Sequence, residues 1–351
     1  MNFASDNAAG VAPPILEAIA AANSGFALAY GQDDVTARAT RRFCEIFERD
    51  VAVWLVPTGT GANALALAHV SPPWGAVLCH AESHIIVDEC GAPEFFGGGL
   101  KLIGLPGTAG KIALGTLRDA LRRGPWGGPH HVTASALSLT QATEAGTVYR
   151  VEEVRALADA AHAQGLAVHM DGARFTNALV RQNVSPAQAT WKAGVDVLSL
   201  GATKCGALAA EAIVFFDPGR AAQMDERRKR GGQLVSKHRF IAAQFEAFFA
   251  DDLWLKLARH ANAQADQLAA RLTAAGFAPV WPVEANEVFV ALPQRIDARL
   301  KAAGASYYPW KTEGLPEGVM TAPDAVLVRL VTSFATSDGE IARFAEIAAT
   351  A

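Results

Sequence analysis

This chain of 351 residues contains few cysteines and carries only a small net charge. Its four cysteines show no CxxC spacing, so we expect no disulfide framework and no metal site. The formal net charge of -4 provides no overall field that would attract nucleic acid or an anionic membrane. No apolar run reaches the ~18 residues that a membrane-spanning helix needs, and the first residues do not read as a signal peptide. These absences predict a protein of the reducing cytoplasm without nucleic-acid or membrane partners.

Hydrophobic residues, in contrast, make up 51% of the chain, which allows a large interior and buried contacts between subunits. The length exceeds what one simple core usually supports. Short apolar runs alternate with amphipathic helices as far as about residue 245, and this βαβ rhythm predicts a mostly parallel sheet with helices on both faces. Helices with shorter strands follow. We therefore predict an α/β large domain over residues 1–245 and a smaller α+β domain over residues 246–351.

A lysine follows one of the predicted strands. The run Val195–Leu200 has strand character and leads through a turn of small residues to Lys204. At the carboxyl end of a buried strand, such an amine points into the crevice where α/β sheets bind ligands, and it can become a nucleophile toward carbonyl groups. Upstream, a second strand ends in Asp171, with Arg174 just after it. A lysine and a carboxylate at two strand ends meet the needs of pyridoxal phosphate (PLP), which takes a lysine for its Schiff base and a carboxylate for its ring nitrogen.

A third strand, predicted over Val51–Val56, runs into a turn rich in glycine and threonine, followed by a helix over Leu65–Val70. Free backbone N–H groups at a helix N-terminus form an anion site. The turn matches neither the Walker A nor the GxGxxG pattern. Together with the lysine and the aspartate it is interpreted as a phosphate cup, with Gly59, Thr60 and Gly61 in contact.

With these motifs the chain resembles the low-specificity threonine aldolases, PLP-dependent enzymes of the aspartate aminotransferase fold. The likeness begins at Ser5-Asp6-Asn7, includes Tyr30-Gly31-Gln32-Asp33 and extends to Arg329, so it covers nearly the whole chain. It implies an α/β large domain of aspartate aminotransferase type and PLP as the cofactor. The implied reaction is retro-aldol cleavage of L-threonine or L-allo-threonine to glycine and an aldehyde. In it, Lys204 carries the cofactor and Asp171 keeps the ring nitrogen protonated.

The resemblance also assigns the residues that bind the substrate carboxylate. It places Ser5 and Arg329 on this group, and Arg174 either there or on the phenolic oxygen of the cofactor. The sequence around Arg329 is an alternating apolar strand, in which an unpaired charge would be costly. We therefore expect an anionic partner for this arginine.

Two histidines are candidate bases for the proton of the substrate's β-hydroxyl group. The resemblance implies that His84 stacks on the cofactor ring. The family places another histidine near the substrate hydroxyl, and an ungapped match back from Leu137-Ser138-Leu139 favours His130 over His131. We expect His84 to stack, with His130 and a bound water sharing the role of base, because imidazole titrates near neutrality.

The chain departs from the family at one segment. The aldolases have a glycine triplet followed by methionine and arginine, whereas Gly231-Gly232 is followed here by Gln233. The sequence therefore leaves open whether Lys229 or Lys237 supplies the charge near the phosphate of a neighbouring subunit. The resemblance implies a homo-oligomer, expected to be a tetramer of two catalytic dimers.

Two alternatives share the lysine, the aspartate and the phosphate cup. One is another PLP enzyme of this fold, a β-eliminating lyase, a racemase or an aminotransferase. The other is a non-catalytic protein of the same fold, which the presence of Lys204 argues against. The preferred β-substituent, the threo or erythro preference and the physiological direction are not determined by the sequence.

Overall fold

The strands of the chain form two separate sheets. The computed structural model of the protein describes residues 1–312, 315 and 324–350. The strands, in chain order, are β1 (Ala52–Val56), β2 (Gly75–His80), β3 (Lys101–Leu105), β4 (Thr133–Thr140), β5 (Ala167–Gly172), β6 (Val197–Gly201), β7 (Glu211–Phe215), β8 (Glu287–Pro293), β9 (Tyr308–Pro309) and β10 (Ala325–Val331).

Helices pack against both sheets. Their bounds are α1 (Pro13–Ala21), α2 (Asp34–Ile46), α3 (Gly59–Val70), α4 (His84–Val87), α5 (Ala92–Phe96), α6 (Leu114–Arg123), α7 (Val151–His162), α8 (Phe175–Gln182), α9 (Pro186–Ala189), α10 (Met224–Arg230), α11 (Arg239–Phe249), α12 (Leu253–Ala274), α13 (Gln294–Ala302) and α14 (Asp338–Ala349). Across the described ranges, none of these helices combines the length and the apolar character that crossing a bilayer would require.

The first sheet contains seven of the described strands, in the order β1-β7-β6-β5-β4-β2-β3. Strand β7 runs antiparallel to both of its neighbours, and the strands from β6 to β3 pair in parallel. Strands β5, β6 and β7 are buried along their whole length, as their apolar sequences require. The predicted α/β architecture with a mostly parallel sheet is confirmed. The carboxyl ends of the parallel strands meet at one edge, where the reversed strand β7 begins.

Helix α3 lies across one face of this sheet and begins earlier than the sequence predicted. Thr58 is its N-cap, and the Thr58 hydroxyl accepts a hydrogen bond from the Gly61 N–H at 3.1 Å. Gly59 is therefore the first helical residue, not part of a turn that precedes Leu65. A side-chain cap of this kind satisfies one orphan N–H and allows a glycine-rich segment to start a helix. The first turn of α3 thus points its remaining N–H groups toward the carboxyl edge of the sheet.

The second sheet is small and antiparallel, with the order β8-β10-β9. It packs with α12, α13 and α14 around a core that includes Val290 and Phe344. Phe3 belongs to the same core and meets Phe344 edge-on, with ring centroids 5.1 Å apart. The sequence analysis had grouped the first residues with the large domain. The Phe3 N–H donates to the Ser306 carbonyl at 2.8 Å, and this backbone pairing holds the N-terminus against the second sheet.

Helix α12 connects the two cores. Trp254, near its start, belongs to the core of the large sheet, whereas Leu268 and Leu272 belong to the second core. The chain therefore passes from one core to the other along a continuous helix. The division into residues 1–245 and 246–351 stays a prediction.

Candidate active site

A cavity of about 670 Å³ opens at the carboxyl edge of the large sheet, where the second sheet covers it. Its walls come from the ends of β1, β4, β5 and β6 and from residues of the second sheet, among them Glu287 and Arg329. A volume of this size is typical of sites for small molecules and cofactors. The position agrees with the rule that open α/β sheets bind ligands beyond the carboxyl ends of their strands.

Lys204 and Asp171 enter the cavity from adjacent strands. Lys204 lies in a 3₁₀ turn, Thr203–Cys205, directly after β6. Asp171 is the penultimate residue of β5, with 3% of its surface exposed. Its Oδ1 accepts from the Ala173 N–H at 3.0 Å, and its Oδ2 accepts from Asn63 Nδ2 at 2.9 Å. The carboxylate is therefore held in a fixed orientation, while Lys204 forms no ion pair within the described part of the chain.

A chain of hydrogen bonds joins this aspartate to His84. Asn63 Nδ2 also donates to Glu89 Oε1 at 2.9 Å, and the same oxygen lies 3.0 Å from His84 Nδ1. The hydrogen bond to Glu89 raises the pKa of His84, while burial raises the pKa of Glu89. Both shifts favour a proton held between the ring and the carboxyl group. The imidazole lines the cavity with 40% of its side chain exposed, so part of the ring is accessible to a ligand.

The N-terminus of α3 forms another part of the wall. Because the Thr58 hydroxyl accepts a hydrogen bond from the Gly61 N–H, the free N–H groups at this end of the helix are those of Gly59 and Thr60. Both residues line the cavity. Helix N-termini attract anions through such N–H groups and through the helix dipole. The arrangement suits a phosphate group, with the helix itself supplying the donors.

Two arginines and Glu287 line another part of the cavity, and Asp6 is buried beside Arg174. Arg174 donates to both carboxylate oxygens of Asp6, from Nε at 2.8 Å and from Nη2 at 3.1 Å, and its Nη1 lies 3.3 Å from Glu287 Oε1. Arg329 Nη1 is 4.0 Å from the same Glu287 oxygen. The Arg329 guanidinium stacks over Trp310, with its Cζ 4.6 Å from the ring centroid. The predicted anionic partner of Arg329 is thus Glu287, at a distance that leaves the guanidinium able to bind a second carboxylate.

Comparison with known proteins identifies the family. The family described as beta-eliminating lyase matches residues 2–294. The low specificity L-threonine aldolase of Pseudomonas aeruginosa is 45% identical to this chain over 315 residues, which cover 89% of this chain and 90% of that protein. This chain belongs to the low-specificity L-threonine aldolase family. The enzyme of the same description from another Pseudomonas strain is 41% identical over 315 residues, with the same coverage.

Solved structures agree with this placement. The threonine aldolase of Leishmania major superposes with a TM-score of 0.91 and 30% identity, covering 99% of this chain and 98% of that one. Serine palmitoyltransferase from Sphingomonas wittichii superposes with a TM-score of 0.73 at 14% identity, covering 100% of this chain and 86% of that one. The latter likeness shows the fold alone. Together they confirm the PLP-transferase type of fold that the sequence predicted.

Most of the residues that the sequence singled out lie together in the cavity of this threonine aldolase family member. They are Ser5, Gly59, Thr60, His84, Asp171, Arg174, Lys204 and Arg329. Gly61 is not among the lining residues, because its N–H is used by the Thr58 cap and its Cα faces Gln233. A Cβ at this position would lie 2.5 Å from the Gln233 side chain, so glycine here allows close packing and does not contact the ligand site.

His130 lies away from the cavity. It is exposed in the turn before β4, whereas the cavity is lined by Thr140, the last residue of that strand. Eight residues of strand separate the two ends by about 26 Å, at roughly 3.3 Å per residue. His130 therefore does not line the cavity of its own chain, and His131 shares its exposed position. That His130 contacts a substrate stays a prediction.

The sequence analysis missed several polar residues of the cavity. Among them are Asn63, Glu144, Glu211 and Glu287. Asn63 was hidden within an apolar helix, and its place one turn after Thr60 was the available signal. Glu211 begins the reversed strand β7, and burial raises its pKa to about 7. Glu144 and Glu287 each flank an apolar strand, a position that ordinary surface carboxylates also occupy.

The basic segment after β7 does not reach this cavity. Neither Lys229 nor Lys237 is among the lining residues. Lys229 Nζ lies 5.0 Å from the centroid of the Tyr30 ring, near the surface of the chain. That one of the two lysines approaches a neighbouring subunit therefore stays a prediction, and the choice between them stays open.

Proposed function

We propose that this chain catalyses the reversible retro-aldol cleavage of L-threonine, L-allo-threonine and related β-hydroxy-α-amino acids to glycine and an aldehyde, with PLP as cofactor. The observation that carries the proposal is the convergence of Lys204, Asp171 and Arg329 in one cavity. A nucleophilic amine, an oriented carboxylate and a carboxylate-binding arginine are the groups that this reaction requires of the protein. Membership of the threonine aldolase family supports the same reaction.

The residues present fit the cofactor. Lys204 is the amine that would bind its aldehyde carbon, and the Asp171 carboxylate would hold the proton on its ring nitrogen. The N–H groups of Gly59 and Thr60 would take its phosphate, and His84 would stack on its ring. When bound, PLP supplies an electron sink for the bond that breaks at the α-carbon.

The remaining work falls to side chains that position the amino acid. Arg329 offers a planar fork to the substrate carboxylate, and Ser5 offers a hydroxyl. Arg174 is already bonded to Asp6 through two nitrogens, so we assign it to the support of this end of the cavity and to the phenolic oxygen of the cofactor. Holding the carboxylate sets the orientation of the α-carbon, which decides whether the Cα–Cβ bond breaks.

We further propose that the active form is a homo-oligomer, a tetramer of two catalytic dimers in the cytoplasm. Apolar side chains at the surface support the proposed oligomer. Phe26, Leu28 and Phe95 are more than half exposed. Leu208 lines the cavity and is 56% exposed. Large apolar side chains exposed at a protein surface commonly mark subunit contacts. Light scattering that finds a fully active monomer would contradict this proposal.

The test of the reaction is product analysis. Purified protein supplied with PLP and L-threonine should release equal amounts of glycine and acetaldehyde, whereas β-elimination would release 2-oxobutanoate and ammonia. Lys204→Ala should abolish the visible absorbance of bound PLP and reduce turnover by orders of magnitude. Lys256→Ala, which changes an exposed lysine of α12, is the matched control and should keep the wild-type rate. Normal turnover in Lys204→Ala would refute the assignment.

A further inference from the structure

Glu144 is a carboxyl group of the cavity that the chemistry described above does not use. It follows β4 on the segment that leads toward α7, and it lines the cavity. Its Oε1 accepts a hydrogen bond from the backbone N–H of His84 at 2.8 Å. Its Oε2 is enclosed and has no hydrogen-bond partner among the residues that the structure describes. One oxygen is therefore anchored by the His84 N–H, and the other is buried without a hydrogen-bond partner among the described residues.

The surroundings of Glu144 make its two protonation states similar in free energy. Burial raises its pKa to about 7, with the Asp171 charge contributing in the same direction and the His84 N–H opposing the shift. Arg174 is the cation whose charge couples to it across the cavity. A general base works best when its pKa lies near the operating pH, because it is then deprotonated and still basic enough to take a proton.

His84 lies beside Glu144 on this side of the cavity, and its backbone N–H holds the Glu144 carboxyl group. The Nδ1 of its ring is hydrogen-bonded to Glu89, and this bond raises the pKa of the ring. We assign the ring to stacking on the cofactor. Glu144, which is anchored next to this histidine, is the candidate proton acceptor on this side of the cavity.

We propose that Glu144 is the catalytic base that takes the proton of the substrate's β-hydroxyl group during carbon–carbon cleavage. This inference rests on the retro-aldol function proposed above. The O–H electron pair becomes the second bond of the aldehyde carbonyl, and the pair of the broken Cα–Cβ bond remains with the α-carbon. A proton then adds to the α-carbon to complete glycine. One proton is taken up by the Glu144 carboxylate and one is delivered to the α-carbon, so protons balance and no oxidant or reductant is needed.

Glu144→Gln is the decisive variant, because glutamine keeps the size and the oxygen that accepts from His84 but cannot take up a proton. We expect kcat for L-threonine cleavage to fall by about 10²–10⁴-fold, the usual contribution of a general base. The exchange of the α-protons of glycine with D₂O should stay within a few-fold of wild type, since glycine has no β-hydroxyl group. Glu144→Asp should recover part of the lost rate because it restores a carboxylate.

The outcomes separate the two proposals. If wild-type enzyme exchanges glycine protons but does not cleave threonine, the proposed function fails. If wild-type enzyme cleaves threonine and Glu144→Gln cleaves it within about threefold of that rate, the role of Glu144 is overturned while the function stands. Equal losses of cleavage and glycine exchange would also overturn it, because they would indicate a structural role.

A second measurement does not depend on the cofactor. The infrared difference spectrum between wild type and Glu144→Gln, both free of PLP, should contain one carboxyl group that titrates near neutral pH. A titration in the ordinary range of an exposed glutamate would contradict the proposal.

Discussion

The Asp6–Arg174 ion pair allows a quantitative prediction about how the carboxylate end of the site is held. The Asp6 side chain is 1% exposed and that of Arg174 is 11% exposed, and two hydrogen bonds join them. Asp6→Asn keeps the shape of the side chain and removes its charge. Arg174 would then face Glu287 alone, 3.3 Å from its Nη1.

The expected loss follows from the cost of leaving a buried charge without its partner. Breaking such a pair usually costs about 3–5 kcal/mol of the free energy of unfolding. We expect about 3 kcal/mol here, because Glu287 still compensates part of the guanidinium charge and the asparagine oxygen still accepts one hydrogen bond. Asn286 Nδ2 donates to Asp6 Oδ2 at 3.1 Å and also to the Thr332 carbonyl at 2.7 Å, so it keeps one partner in the variant.

Urea unfolding of the PLP-free protein, followed by circular dichroism and tryptophan fluorescence, measures this difference. The matched control is Asp119→Asn, which breaks the exposed pair between Asp119 and Arg122, whose side chains are 56% and 68% exposed. Exposed pairs contribute little, so we expect about 0.5 kcal/mol or less. A loss below about 1 kcal/mol in Asp6→Asn, or equal losses in both variants, would refute the reasoning.

The same pair predicts how stability depends on pH. Burial alone would raise the pKa of Asp6, but the charges of Arg174 and Lys204 and the hydrogen bonds from Arg174 and Asn286 bring it below its usual value of 3.8. A depressed carboxyl pKa adds stability that is fully present above the unfolded-state pKa and is lost as pH falls through the folded-state pKa. The difference between wild type and Asp6→Asn should therefore be constant near neutral pH and shrink only below about 3.8.

Two further predictions concern the histidines. His84→Phe should keep PLP and lose less than about tenfold in kcat, because a phenyl ring also stacks and the backbone N–H that anchors Glu144 is unchanged. A loss of about 10²-fold or more with normal glycine binding would identify His84 as the base. His130→Ala should cleave threonine at the wild-type rate, since the residue is exposed at the far end of β4; a large fall in kcat would mean that His130 reaches a site, in this subunit or in a neighbouring one.

Much of the site could be predicted from the sequence because it depends on local pattern. Lys204 and Asp171 each follow an apolar strand, and the carboxyl ends of parallel strands meet at one edge of a sheet. The glycine-rich segment from Gly59 preceded an obvious helix, so a phosphate site at its N-terminus followed from the geometry of helix ends. Arg329 stood out because a charge inside an apolar strand needs a partner.

The tertiary structure decided the contacts that no local pattern encodes. It paired Arg174 with Asp6 across 168 positions of sequence, and it placed Phe3 in the second core. It also placed His130 before β4, whereas Thr140 at the other end of that strand lines the cavity, a separation that the identity of the residue does not encode. Glu144 became a candidate base only when folding buried its carboxyl group beside the His84 backbone, since burial and a single hydrogen bond distinguish it from an ordinary surface glutamate.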